Sequence, residues 1–379
     1  MTKSQGGSSR KNASWREKFP LNTGHKYLDL MLVFVPAAIV IHYFVPAPPL
    51  VVFAVSALGI IPLAGALGHA TEELGGHLGE RMGGLLNATM GNATELIIAF
   101  FALKAGHSEV VKASLSGSII GNVLLVMGLS VLAGGIGRER QTFSRQHASI
   151  NATMLFIAVV ALVMPAVFDL AVFGRLEEHG DKIERLSLLT SVVLVAVYAL
   201  SLLFTFRGGP SSPTSSEHTK PAGSAKFAAI SLTIATVLVG LLSEILVGEI
   251  EAAKSALGMS DLFMGVIFIA LIGNAAEHAS AIMVARKNKM EMALSIAVGS
   301  SIQIALLVAP LLVFLSYGLA GRPMSLVFTP LEITGIALSV ITVEMIASDG
   351  ETTWFEGVQL LAVYLIMAVA FYFVPATGH

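Results

Sequence analysis

The sequence predicts an all-α polytopic membrane protein with 11 transmembrane helices: one extra helix plus two inverted five-helix repeats. Three observations predict it. Hydrophobic residues make up 55% of the 379-residue chain and charged residues only 13%, too little charge to cover a soluble protein of this length. Apolar stretches of about 20 residues, the length that crosses a bilayer as a helix, recur along the whole chain, and the mean hydropathy is +0.78. Finally, Gly91-Asn92-Ala93-Thr94-Glu95 returns 182 residues later as Gly273-Asn274-Ala275-Ala276-Glu277. The short alternating strands of a membrane barrel are absent. A net charge of -2 argues against nucleic acid as a partner. The absence of cysteine excludes disulfides and thiolate metal sites.

Residues 1–26 are polar and basic, lack the apolar core of a signal peptide, and read as a cytoplasmic N-terminal tail. A peripheral first helix is expected over 27–45. The first repeat, 49–206, holds spans 49–79, 84–104, 109–136, 146–168 and 185–206. The second, 227–375, holds spans 227–253, 259–285, 289–318, 327–347 and 354–374. Between them, 207–226 reads RGGPSSPTSSEHTKPAGSAK, whose Gly, Pro and Ser content marks a flexible cytoplasmic linker. Five is odd, so the second half enters the membrane from the side opposite to the first. Inverted repeats with a midplane site between them are a common transporter architecture. With the N-terminus in the cytoplasm, sixteen of the 23 Lys and Arg fall on that side: six in the tail, Arg81, and three each in 138–145, 207–226 and 286–289. The other seven are Lys104, Lys112, Arg175, Lys182, Arg185, Lys254 and Arg322. The excess of positive charge inside places the C-terminus outside.

Each motif copy puts a carboxylate and an amide in the middle of an apolar span, where ionisable groups are costly and mark functional sites. The repeat extends further. Gly117-Ser118 and Gly299-Ser300 are also 182 apart, and Asn122 and Gln303 follow them by about one helical turn. A hard divalent cation takes roughly six to eight oxygen ligands. Glu95 and Glu277 would supply charged oxygens and Asn92 and Asn274 amide oxygens. Gly91 and Gly273 would loosen their helices and bare backbone carbonyls, as broken helices in transporters do. Ser118, Asn122, Ser300 and Gln303 could complete the shell. Without Cys, or a paired-His motif beside the acids, the site favours calcium-like over zinc-like ions. The alternative is that both glutamates are protonated and hydrogen-bonded and the glycines serve helix packing.

His69, Glu72, Glu73 and His77 lie in HATEELGGH, at one end of the second span, where 69, 73 and 77 share a helical face. They read either as an entry vestibule or proton relay, or as a helix end in water. His278 either tunes Glu277 or is a hydrogen-bonded histidine of the packing. The sequons at Asn12, Asn87, Asn92 and Asn151 do not read as glycosylation sites, because three lie in or beside spans.

GLLNATMGNATELI, IGNAAEH, GSIIGNVLLV and GSSIQIALLV resemble the paired repeats of the calcium/proton antiporters, the cation/proton exchanger branch of the cation/calcium exchanger superfamily. The resemblance covers 27–375. It implies eleven helices, inverted halves, a central acidic site at Glu95 and Glu277, and Asn92, Asn274, Ser118, Ser300 and Gln303 nearby. The chain departs from that pattern twice. The linker has Glu217 as its sole acid where many members carry an acidic segment, and Gly121 stands where a serine is expected. Sodium-coupled calcium exchangers usually carry a proline-containing motif beside the glutamate, which is absent here.

The expected function is therefore secondary active exchange of Ca2+ for H+ by alternating access. Ca2+ and H+ are the substrates, the bilayer is the surroundings, and there is no cofactor. A homo-oligomer is compatible with the sequence. An exchanger of Na+ or K+ for H+ on the same fold is the first alternative. An intramembrane metal-dependent enzyme using His69, Glu72 and Glu73 is a second, without the H-E-x-x-H pattern, and a passive channel a third. The expected location is a prokaryotic plasma membrane, with a vacuolar membrane as the other option.

Overall fold

The computed structural model describes residues 19–174, 180–207, 223–319 and 323–375. Most of the expected tail (1–18) and of the expected linker (208–222) lies outside the described residues. So does Arg175, while the side chain of Arg81 is likewise undescribed.

Twelve helices account for nearly all of the described chain. They are α1 (Lys26–Phe44), α2 (Pro49–Leu78), α3 (Met82–Lys104), α4 (Ser108–Gly135), α5 (Arg145–Phe173), α6 (Gly180–Phe206), α7 (Ala225–Gly248), α8 (Ile250–Leu257), α9 (Asp261–Arg286), α10 (Met290–Ser316), α11 (Pro330–Ala347) and α12 (Trp354–Tyr372). Among the described residues, ten are long and apolar enough to cross a membrane. The one remaining expected span, 327–347, is the 18-residue α11, at the short end of the crossing range. The expected span 227–253 is not continuous. It ends at Gly248, and Glu249 leads into the separate short helix α8.

Burial shows which helices form the centre. In α4, 83% of the most apolar stretch is buried, against 11% in α1. An apolar helix that exposes most of its surface is compatible only with a lipid surround, and α1 packs on the outside of α2 and α7. The central contacts pair helices from the two parts of the chain: α2 with α7, α3 with α7, α4 with α9, and α4 with α12. Small residues permit the closest of these approaches. A Cβ on Gly117 of α4 would strike the backbone of Val266 in α9, and one on Gly265 of α9 would strike Val110, Ala113 and Ser114 of α4.

At one end of the bundle the parts are stitched together by polar contacts. Strand β1 (Gln141–Thr142) pairs antiparallel with β2 (Glu351–Thr352), and His147 at the start of α5 lies 2.7 Å from Glu291 at the start of α10. At the other end, Lys104 faces Glu244 at 3.8 Å and His107 faces Glu251 at 3.3 Å. Capping boxes at Thr329–Glu332 and Thr353–Glu356 start α11 and α12, satisfying backbone N–H groups that lipid could not.

Candidate functional site

The two motif copies meet at the centre, on α3 and α9, with different backbones. In α3 the helix is interrupted. Its first part, the continuation of the helical run Glu80–Met90, and its second, Ala93–Lys104, are joined through Gly91 and Asn92, and Asn92 sits at φ -100°, ψ 25°, in the sparsely populated bridge region. The ladder stops at Gly91 N–H to Asn87 O (2.8 Å) and resumes at Leu96 N–H to Asn92 O (3.1 Å). A helix end leaves four carbonyls without helical partners; here they are Ala88, Thr89, Met90 and Gly91. That of Ala88 accepts a hydrogen bond from the buried Tyr198 hydroxyl on α6, at 2.9 Å. In α9 the second motif lies inside an unbroken helical stretch, Ala270–Arg286. The irregularity is displaced one to two turns upstream, as a widened π turn at Met264–Ile269. Gly273 therefore does not open its helix, contrary to the sequence expectation. Gly91 stands in a break.

Each glycine lies against the opposite half, but only Gly273 makes room for the opposite glutamate. A Cβ on Gly273 would come within 2.9 Å of Glu95 Cγ, and one on Gly91 within 3.5 Å of Gln303 Oε1 and 3.9 Å of Glu277 Oε1. The carboxylates are near enough for their charges to interact, and the Ser300 hydroxyl lies beside Glu277. Oε1 of Glu95 and Oε2 of Glu277 are buried without a hydrogen-bond partner. Orphaned buried polar atoms are uncommon and call for an explanation.

The asparagines are held across the two halves of the chain. Asn92 donates from Nδ2 to Gln303 Oε1 and accepts from the Ser300 hydroxyl at 3.0 Å, both on α10. Asn274 donates to the Ser118 hydroxyl at 2.9 Å and accepts from Asn122 Nδ2 at 3.4 Å, both on α4. Asn122 also donates to Ser300 at 3.1 Å, which closes the two sets into one network. The polar residues start π turns at Gly121–Val126 and Ile304–Val308, a backbone irregularity common at functional sites. Strict repetition would pair Asn122 with Ile304 and Gln303 with Gly121. The second polar group has moved by one position between halves, so the two clasps are similar without being identical.

The remaining sequence candidates lie elsewhere. His278 faces Asn122 Oδ1 at 3.1 Å, so its ring is turned to α4 and not to the neighbouring Glu277. Glu73 accepts from Gly223 N–H at 2.6 Å and His77 Nε2 contacts Gly223 O at 3.1 Å, fixing the chain just ahead of α7. His69 lies against Gly24, and Glu72 is exposed. The HATEELGGH segment thus contacts the two chain stretches that precede α1 and α7.

Other residues near the site carried no repeat signal in the sequence. A cavity of about 10 Å3 beside Glu95 is lined by Ser114 and Ser118 among apolar side chains, room for one water. Glu332 of α11 is buried and accepts from the Ser116 hydroxyl at 2.8 Å. Lys112, buried one turn along α4, pairs with Glu109 at 2.7 Å. A polar residue every second position of α4 (112, 114, 116, 118) was a visible cue, but its meaning depends on which helix covers each face. Among the described residues, no group of three or more His, Asp or Glu could hold a metal ion. An ion at the centre would therefore meet two carboxylates and otherwise neutral oxygens.

Membrane-length helices crossing in this arrangement define a polytopic helical membrane transporter. Residues 48–207 and 227–373 match the sodium/calcium exchanger protein family, and the chain belongs to that family; it is a transporter and not an enzyme. It is similar to a Ca(2+)/H(+) antiporter of Aphanothece halophytica, 41% identical over 362 residues, covering 91% of this chain and 96% of that protein. It is similar also to the Ca(2+)/H(+) antiporter ChaA of Bacillus subtilis, 43% identical over 332 residues, covering 86% and 93%. Among solved structures it resembles native YfkE, with TM-score 0.79 and 41% identity, covering 92% of this chain and all of that one.

Proposed function

We propose that the protein exchanges Ca2+ for H+ across a membrane by alternating access, with Glu95 and Glu277 carrying either the cation or protons. The observation that carries this reading is the pair of buried carboxylates on like motifs, each with an orphaned oxygen. The antiporter relatives at about 40% identity support it. Two carboxylates buried together cannot both remain charged without a partner, because desolvating a lone charge costs several kcal/mol. Protonation and cation binding are the two ways to neutralise them, and their mutual exclusion couples the fluxes. The carbonyls of Thr89, Met90 and Gly91, freed by the break in α3, are natural additional oxygens for a hard cation. The amides and hydroxyls of Asn92, Asn274, Ser118, Asn122, Ser300 and Gln303 orient them.

In this reading α2–α6 and α7–α12 are inverted halves joined by a cytoplasmic linker at 207–226, with α1 accessory. The N-terminus is cytoplasmic and the membrane is a prokaryotic plasma membrane. An empty dianionic site is costly to occlude, so only loaded forms reorient. Moving Ca2+ against a ten-thousand-fold gradient at zero potential costs about 5.5 kcal/mol. A proton descending one pH unit returns about 1.4 kcal/mol, so several units of pH, several protons or a membrane potential must combine. The test is ion flux in vesicles holding the purified protein. A pH gradient should drive Ca2+ uptake with opposing proton movement. Flux with Na+ or K+ in place of Ca2+ under the same gradient would assign the substrate otherwise, and flux independent of the gradient would indicate a channel.

A further inference from the structure

The break in α3 needs something to hold it open. Four carbonyls are released there, and lipid offers them no donors. An unbroken helix would satisfy Ala88 O with the N–H of Asn92. Instead the Tyr198 hydroxyl, on α6, three helices further along the chain and 5% exposed, donates to it at 2.9 Å. Thr89 cannot serve, because its hydroxyl is turned back to Leu85 and Leu86 at 2.9 and 3.0 Å. Ala88 lies four residues before Asn92, whose amide reaches Gln303 and Ser300, and Glu95 lies in the first turn of the segment that follows. We infer that Tyr198 is a positioning residue for the first motif: its hydrogen bond to Ala88 O latches the helix break and so fixes how Asn92, Glu95 and the freed carbonyls are presented to the ion.

The second half supplies an internal control. Tyr364 of α12 lies beside His278 and Gly121, yet its hydroxyl has no hydrogen bond to the unbroken motif helix among the described residues. The latch is thus expected to act on one motif only.

The experiment compares wild type, Tyr198→Phe and Tyr364→Phe as purified full-length proteins. Removing the donor leaves a buried carbonyl unpaired and biases the segment toward a continuous helix or fraying. Amide hydrogen exchange of peptides spanning 86–98 should change in Tyr198→Phe by on the order of fivefold or more, while peptides spanning 270–286 stay as in wild type. Unchanged exchange at 86–98, or an equal change in both regions, overturns the latch. The transport consequence rests on the Ca2+/H+ reading. In sided vesicles Tyr198→Phe should raise the apparent KM for Ca2+ by roughly fivefold, with a smaller effect on maximal flux. Tyr364→Phe should not; an equal rise in both variants overturns the assignment. Altered exchange at 86–98 in a protein whose wild type moves no Ca2+ would sink the calcium reading and leave the latch standing.

Discussion

The same five-residue pattern appears on a broken helix in one half and an intact helix in the other. The difference lies in neighbouring residues. Around the first copy, Asn87, Thr89 and Thr94 favour side chain to backbone bonds over regular helix, and Gly84 precedes them where the second copy has Val266. Around the second, the corresponding stretch carries Ala270, Leu271, Ile272, Ala275 and Ala276, better helix formers overall. The repeat therefore conserves the chemistry, a glycine beside the partner's glutamate and an asparagine clasped by the partner's serine, while the backbone solution differs. A site shared by two halves needs the oxygens in place; it does not need the halves to be copies in every turn.

The most severe way to break the comparison is to neutralise either acid. Glu95→Gln and Glu277→Gln should each reduce exchange by at least about a hundredfold, because the amide keeps the shape but loses the charge and the proton-binding oxygen. Proton-coupled flux near wild type in either variant, with normal membrane insertion, would separate the glutamates from transport.

A sharper probe adds one methyl group to each motif. Gly273→Ala places a Cβ 2.9 Å from Glu95 Cγ, whereas Gly91→Ala places one 3.5 Å from Gln303 Oε1, ordinary contact, with Asn87 O of its own turn at 2.8 Å. Overpacking costs about 1–3 kcal/mol. Gly273→Ala should therefore lower apparent affinity by on the order of tenfold through Glu95. Gly91→Ala should act on its own side of the break, altering exchange of the 86–98 segment. Identical kinetic profiles for the two would mean that the glycines serve packing alone.

Sidedness of pH comes next. Acidifying the face where Ca2+ binds should weaken apparent affinity, since protons and calcium compete for the same carboxylates. Acidifying the opposite face should speed calcium release by supplying the return ion. The measurement is initial flux with pH varied on one side at a time, and equal effects from both sides would rule out a shared site. The smallest effect is expected from replacing 208–222, the part of the expected linker ahead of the Gly223 anchor and α7, by a Gly/Ser sequence of equal length. The halves pack through their own helices, so uptake should stay within about twofold, as for other tolerant surface connections; a tenfold loss would give the segment a role of its own.

Much of this was legible in the sequence because the membrane imposes simple rules. Span length, the 182-residue offset and the paired acids needed no tertiary knowledge. What was hidden depends on direction across the bundle. The sequence placed Ser118 and Ser300 near the glutamates, but not that each serves the asparagine of the other half. His278 is adjacent to Glu277 in sequence yet turns to Asn122, because successive residues on a helix point about 100° apart. Tyr198 carried no repeat signal at all, since its job arises from a break that only one half contains. HATEELGGH shares a helical face as expected, but its partners are the Gly223 and Gly24 stretches, and contacts of that separation leave no periodicity.

The crossed clasp also sets an order of events at birth. When the first half leaves the ribosome, the groups that will hold Asn92 and shelter Glu95 have not been made; Ser300 and Gln303 lie about two hundred residues downstream. At about 5–20 residues per second, the nascent first half waits on the order of ten to forty seconds with an acid and an amide unpartnered in the bilayer or at its edge. Truncated chains should accordingly be the species that membrane quality-control proteases recognise, and the arrival of α10 should be the moment at which they let go.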